Sequence, residues 1–313
     1  MKKIGILFGK ERGFADAFIE KVNSKKIKGI KAESVYIEKV EHGEGSGYAV
    51  IVDRISHKVP FYRSYLKNAA LHGTAVINNP FWLSADENFF NNGLATKIKI
   101  AVPKTVILPS RNLPPGTTDE EFSNLAYPLD WEKIFKYIGF PAYMKPFSGD
   151  GNQKIYKITH MNDFFAKHAE TGGLVMMLQE EIIFEEYYRC FCVAGKHVRV
   201  NSYEPRNAHG ERYNVDFKPD AKKTKLLEDM VLRINKHLGY DFSAVDIAMR
   251  DDVLYAVDFC NPAPDVERDT IGQNNFDWLV ETLAAFAIDK AQDQKNGKDN
   301  LTWGEYIRKA LHK

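Results

Sequence analysis

Short apolar runs alternate with helical stripes from the N-terminus onward, and that alternation limits the fold more than any other feature. Residues 3–8 read as a strand and Gly9 as a turn, after which Phe14, Ala17, Phe18 and Val22 recur at helical spacing. Residues 32–37 alternate as a strand, 48–52 form a short apolar run of the buried-strand type, 61–71 read as a helix and 74–77 as another strand. This β-α-β-β-α-β order predicts an α/β domain in which helices cover a parallel sheet.

The pattern then changes. Residues 86–100 carry helical spacing, with Phe89, Phe90, Leu94 and Ile98 as one stripe; Pro103 stops it and 104–108 reads as a strand. Three prolines make 109–116 a loop. A helix over 131–138 ends at Gly139-Phe140-Pro141. From there the chain is mostly β, with strands expected at 142–146, 153–158, 174–180 and 188–194 and one helix at 161–170. Residues 222–238 form an amphipathic helix with Leu226, Leu227, Met230, Val231, Ile234 and Leu238 on one face. Strands at 244–249 and 253–259 flank Arg250-Asp251-Asp252 as a hairpin, and helices at 276–291 and 303–311 close the chain.

With 313 residues the chain has material for about two domains at roughly 150 residues each. Lys+Arg is 43 and Asp+Glu 42, a net charge of +1 that argues against a general nucleic-acid or membrane-surface partner. No apolar run has the length of an export signal or of a spanning helix. Cys190, Cys192 and Cys260 cannot make a disulfide framework without one left over, and reduced thiols point to the cytoplasm. Cys190 and Cys192 lack a second Cys/His pair at zinc-ligand spacing and read as core residues.

Three segments carry chemistry. Lys145 ends a strand before Ser148-Gly149-Asp150-Gly151-Asn152. Glycines let backbone N–H groups approach phosphate oxygens, and a lysine adds a point charge; the alternative is a hairpin turn beside a surface lysine. Asp246 and Asp258 lie on the two strands of the hairpin near one open end, with Asn261 just beyond. Two carboxylates and an amide oxygen suit a hard cation such as Mg²⁺; the alternative is a pair of turn-flanking aspartates. An aspartate in an otherwise apolar strand needs a partner either way. The third segment, 175–182, runs an apolar strand into Gln179-Glu180-Glu181-Ile182, where free backbone groups can meet an adenine edge; the alternative is a core strand. Gly5-Ile6-Leu7-Phe8-Gly9-Lys10-Glu11 is one residue short of a P-loop, and no His-Arg-Asp loop precedes Asp258-Phe259-Cys260 as a kinase requires.

Taken in order, these segments resemble the ATP-grasp superfamily, nearest to its glutathione-synthetase and ribosomal-protein glutamate ligase branch, over about residues 76–290. The matching stretches are Ile138-Gly139-Phe140-Pro141-Ala142-Tyr143-Met144-Lys145-Pro146 with the glycine loop, Leu178-Gln179-Glu180-Glu181-Ile182, Arg189 before the strand that ends at Gly195-Lys196, Val245-Asp246-Ile247, and Val257-Asp258-Phe259-Cys260-Asn261-Pro262. The resemblance implies a parallel α/β preATP-grasp domain (1–78) followed by an α+β ATP-grasp domain (79–313). The latter has a small lobe at about 103–182, a metal-binding lobe at about 183–313, and the nucleotide between them.

The implied cofactors are ATP and Mg²⁺, with Mn²⁺ as an alternative ion. Lys145 resembles the phosphate-contacting lysine; Lys97 lies near a second such position; Ser148, Gly149 and Gly151 resemble the loop that closes over the phosphates. Gln179 to Ile182 resemble the adenine hinge, and Glu185 or Glu186 the ribose carboxylate. Asp246, Asp258 and Asn261 resemble the metal ligands, and Arg206 and Asn214 fall where the family faces phosphates and metal. Arg189, Arg199 and Arg206 are candidates for a substrate carboxylate. Two departures stand out: Asp258 and Asn261 are three apart where the family places its pair two apart, and Asn88 follows Asp86-Glu87 where a lysine is usual.

The implied activity is an ADP-forming carboxylate–amine (or thiol) ligase working through an acyl phosphate. Its partners are a small-molecule carboxylate and an amine, such as an amino acid or peptide, with no nucleic acid and no membrane; homo-oligomerisation stays open. The rival readings are an ATP-grasp small-molecule kinase and a non-catalytic ATP-binding regulator.

Overall fold

The structure is a computed structural model that describes residues 1–81, 88–126, 128–147, 154–214, 217, 220–261 and 263–295. The chain divides into two compact units: residues 1–83, 186–247 and 258–313, and residues 84–185 with 248–257.

The first unit opens with β1 (Lys2–Leu7), α1 (Arg12–Ser24), β2 (Ile30–Ser34), β3 (Val50–Asp53), α2 (Pro60–Leu71) and β4 (Ala75–Ile77). The strands form one parallel sheet in the order β2-β1-β3-β4, as the alternation predicts. Ile4, Ile6, Val50, Val52 and Ile77 leave almost no surface exposed. The first unit does not continue directly: it resumes after the second.

The second unit contains α3 (Asn88–Lys97), β5 (Thr105–Leu108), α4 (Trp131–Ile138), β6 (Ala142–Pro146), β7 (Tyr156–Ile158), α5 (Met161–Ala169) and β8 (Met176–Glu180). Its sheet is antiparallel in the order β5-β8-β6-β7. α4 and α5 pack on one face through Phe135, Ile138 and Phe164 over Leu108, Ala142, Met144, Ile158 and Leu178. The expected stripe on α3 is a correction: Phe89 and Phe90 are 39% and 44% exposed, while Asn91, Asn92 and Ala95 are buried. Asn92 earns its place by donating to Thr105 Oγ1 (3.1 Å).

The first unit resumes with β9 (Glu186–Val193), β10 (His197–Ser202), α6 (Ala221–Leu238), β11 (Phe242–Arg250), β12 (Val253–Asn261), α7 (Arg268–Ile271) and α8 (Gln273–Asp293), in a sheet ordered β10-β9-β11-β12. The β11–β12 turn is Asp251-Asp252, both at positive φ (52° and 59°), a conformation aspartate tolerates and two-residue hairpins require. The tip of this hairpin, 248–257, belongs to the second unit, where Ala256 N–H donates to Ala101 O and Glu185 N–H to Met249 O (both 2.9 Å). α8 is the spine of the first unit's core: Leu279, Leu283, Ala284 and Ala287 are fully buried.

On α6 the buried face is Leu227, Val231, Ile234, Asn235 and Leu238, and Leu226 is 53% exposed. Asn235 replaces an expected apolar residue because its amide is satisfied inside, donating to Val231 O (2.8 Å) and accepting from Ser243 Oγ (2.6 Å). β10 is an element the apolar pattern did not predict. The expected helix at 303–311 lies outside the described residues.

Candidate active site

In the second unit, alternation along β6 sends Ala142 and Met144 into the core, so Tyr143 and Lys145 face the other side of the sheet. The register sets Tyr143 against Lys157 and Gln179, and Lys145 against Met177, so these side chains share that face. Lys145 is half-buried at the strand end. Ser148, Gly149 and Gly151 lie outside the described residues.

The polar hinge side chains each make at least one hydrogen bond. Gln179 is buried and donates to Thr105 Oγ1 (3.1 Å). Glu180 accepts from Arg250 Nη1 (2.9 Å) and from the Lys104 backbone N–H (3.2 Å). Glu181 accepts from Tyr143 Oη (3.1 Å) and Lys157 Nζ (2.8 Å). Its hydrogen bond holds the Lys157 ammonium above its usual value, while burial, with the Glu181 charge second, pushes Tyr143 up. Both hydrogen bonds to Glu181 reach its Oε1; its Oε2 is buried with no hydrogen-bond partner among the described residues, while the backbone N–H groups of Glu180 and Glu181 donate to Lys104 O (2.9 Å) and Pro141 O (3.2 Å). Ile182 follows, buried. Lys97 is exposed in the last turn of α3, and Asn88 begins that helix with its N–H donating to Phe147 O (3.2 Å).

In the first unit, Asp246 is 4% exposed on β11. Arg189 on β9 grips it with Nε on Oδ1 and Nη2 on Oδ2, both at 2.6 Å, and Tyr187 Oη donates to Oδ2 at 3.0 Å. The Tyr203 ring lies 4.1 Å from the guanidinium carbon. Burial pulls the Arg189 guanidinium down, but the Asp246 charge and hydrogen bonds, with Tyr213 and Tyr203, together raise it above its usual range. Burial, then the charges of Asp246 and Asp258, pushes Tyr187 far above its usual value. Tyr187 thus sits among both aspartates. Counted out from the turn, Asp246 and Asp258 lie within one position of each other on β11 and β12. Asn261 ends β12 and its Oδ1 accepts from the Ala263 N–H (3.1 Å).

Glu186 starts β9 and accepts from Lys223 Nζ at 2.6 and 2.8 Å and from Tyr188 Oη, which together lower its carboxyl below the usual range. Arg206 is exposed and paired to Glu204 (2.6 Å, Nε to Oε1). Arg199 points elsewhere: its Nε donates to Asn275 Oδ1 on α8 (2.5 Å) and its guanidinium lies over Trp278. Asn214 pairs by its backbone N–H with Ser202 O (3.2 Å). Cys190 and Cys192 are fully buried free thiols; burial raises both, Cys192 to about 12, which keeps them protonated and unreactive at neutral pH.

A divalent cation asks for oxygen donors with room for it. Asp258 and Asn261 are of that type. Asp246 does not fit as it stands, because three donors already occupy its two oxygens. Among the described residues no group of three or more His, Cys, Asp or Glu is placed to hold a metal ion. Reading the sequence alone missed the Arg189–Asp246 pair, the Lys223–Glu186 pair and the Arg250–Glu180 pair. The signal for the first was present: one largely apolar strand carries an arginine, another an aspartate.

No model of a known protein family matches the sequence, and no curated protein matches it. Solved structures do match the backbone. An ATP-grasp ligase, PsnB, complexed with a minimal precursor, is 12% identical with a TM-score of 0.64, over 93% of this chain and 100% of that one. An ATP-grasp RimK domain protein from Sphaerobacter thermophilus is 16% identical with a TM-score of 0.64, over 91% and 99%. A D-alanine–D-alanine ligase from Bacillus anthracis complexed with ATP is 14% identical with a TM-score of 0.66, over 94% and 98%. This backbone likeness over nearly the whole length of each of these proteins gives the chain the ATP-grasp fold.

Proposed function

We propose that the chain is an ATP-dependent ligase that joins a carboxylate to an amine, or to a thiol, through an acyl phosphate. The observation that carries this reading is the full-length backbone likeness to ATP-grasp ligases, among them structures holding ATP, or Mg and ADP. When bound, MgATP supplies the phosphoryl group and a cation that shields its charge.

The chain's own residues then have these parts. Lys145, with Lys97 and the backbone of Ser148, Gly149 and Gly151, neutralises phosphate oxygens as charge moves onto the leaving group. The 179–182 segment takes the adenine edge, with Glu181 Oε2 as a buried acceptor that has no hydrogen-bond partner among the described residues. Glu186, held as a carboxylate by Lys223, takes the ribose hydroxyls. Asp258 and Asn261 hold Mg²⁺. Arg189 and Arg199 hold the buried Asp246 and Asn275, whereas Arg206, paired to Glu204, is exposed to an incoming ligand, and the substrate carboxylate falls to it. The relatives were solved with a precursor peptide in one case and are named for D-alanine in another, which supports an amino acid or peptide as substrate here. Two reduced, buried thiols fit a cytoplasmic setting.

The test is ADP release from MgATP with fractionated cytosolic metabolites, using Lys145→Ala as the blank. ADP formed only when carboxylate-rich and amine-rich fractions are combined supports the ligase. A stable phosphorylated product from one fraction alone marks a kinase, and tight ATP binding with no release in any mixture marks a regulator.

A further inference from the structure

We propose that Arg189 is a positioning residue that withholds Asp246 from the metal, leaving Asp258 and Asn261 among the described residues to bind the divalent cation. The inference rests on the ligase reading of this site and departs from it in one ligand. Asp246 has two oxygens with about four lone-pair directions. Arg189 Nε and Nη2 take one on each oxygen at 2.6 Å, and Tyr187 Oη takes a second on Oδ2 at 3.0 Å. Mg²⁺ holds oxygen at about 2.0–2.1 Å in a near-octahedral shell. On the one remaining direction, at Oδ1, it shares an atom with a guanidinium N–H and faces a like charge at close range. Burial at 4% exposure leaves little space for the waters Mg²⁺ keeps.

The pair is built to stay closed. The guanidinium lies against the Tyr203 ring at 4.1 Å, and Tyr203 is tied to β9 by its N–H on Tyr187 O (2.9 Å). Two residues before Tyr203, on β10, Asn201 Nδ2 donates to Arg189 O (3.1 Å). Backbone on both sides of Arg189 is thereby fixed in the orientation that reaches Asp246. A bidentate guanidinium–carboxylate contact is directional, and an ammonium in its place does not reproduce it.

The probe is Mn²⁺, titrated into the full chain with a non-hydrolysable ATP analogue present, and free Mn²⁺ read by its paramagnetic resonance signal. Asp258→Asn weakens Mn²⁺ binding tenfold or more. Asp246→Asn, whose amide oxygen still accepts from Arg189, shifts it less than threefold. Arg189→Met uncovers Asp246 and tightens Mn²⁺ binding at least threefold, a gain that the double variant Arg189→Met/Asp246→Asn abolishes; a purely structural role for Arg189 gives no such gain. Circular dichroism confirms that each variant is folded, and the Asp246→Asn comparison stands even where Arg189→Met is not. Equal loss in Asp246→Asn and Asp258→Asn overturns the assignment. No Mn²⁺ bound by the parent chain overturns the ligase reading itself, and the assignment with it.

Discussion

Arg189 and Asp246 show what a buried charge demands of its surroundings. A carboxylate 4% exposed inside an apolar strand needs a partner, and the sequence shows the need while leaving open whether a metal or a side chain meets it. The answer depends on the pairing of β9 with β11, a long-range contact that no local spacing encodes. Removing one partner leaves an uncompensated buried charge. Arg189→Met is expected to cost about 3–5 kcal/mol, measured as a lower midpoint in urea. Glu186 gives a prediction of opposite exposure: its carboxyl is lowered from 4.5 by the hydrogen bonds of Lys223 first and Tyr188 second. A lowered carboxyl contributes stability that is complete above its unfolded value and is lost as pH falls through the folded one. Thermal midpoints of the parent should therefore fall on acidification below pH 4.5, and Lys223→Met should flatten that fall.

Elements divide by how much of their signal is local. α6 was legible because Leu227, Val231, Ile234 and Leu238 repeat at helical spacing and Gly239 closes it in a left-handed conformation (φ 70°). Its start is fixed by Asp220, whose side chain accepts from the Lys223 N–H (3.0 Å). Asp220→Ala should cost about 1 kcal/mol of stability in denaturant melts. β10 was not legible: in His197–Ser202 only Asn201 is buried, so the strand lacks the apolar run that announces one, and its place comes from pairing with β9. On α3 the pattern misled, because two phenylalanines face outward while Asn91 and Asn92 are buried, Asn92 donating to Thr105 Oγ1. α8 carries the largest packing load. Leu283→Ala in that fully buried face should cost about 2–5 kcal/mol in the same measurement.

At the scale of the molecule, the parallel N-terminal sheet and the hairpin that bears Asp246 and Asp258 were both readable from residue order. The long-range division was not: a unit built from three separated segments depends on contacts that periodicity cannot express. Among the described residues no helix is long and apolar enough to cross a membrane, and the net charge of +1 gives no electrostatic footprint for a polyanion. What remains is a chain with the ATP-grasp fold, a half-buried lysine at a strand end and two oxygen donors on a hairpin, on which the proposal of carboxylate activation rests. Hydroxylamine tests that claim directly, since it captures an acyl phosphate as a hydroxamate whatever the natural amine. With MgATP, a pooled carboxylate fraction and hydroxylamine, the parent should form hydroxamate in step with ADP, and Lys145→Ala should form neither. ADP accompanied by a stable phosphorylated product and no hydroxamate would contradict the account.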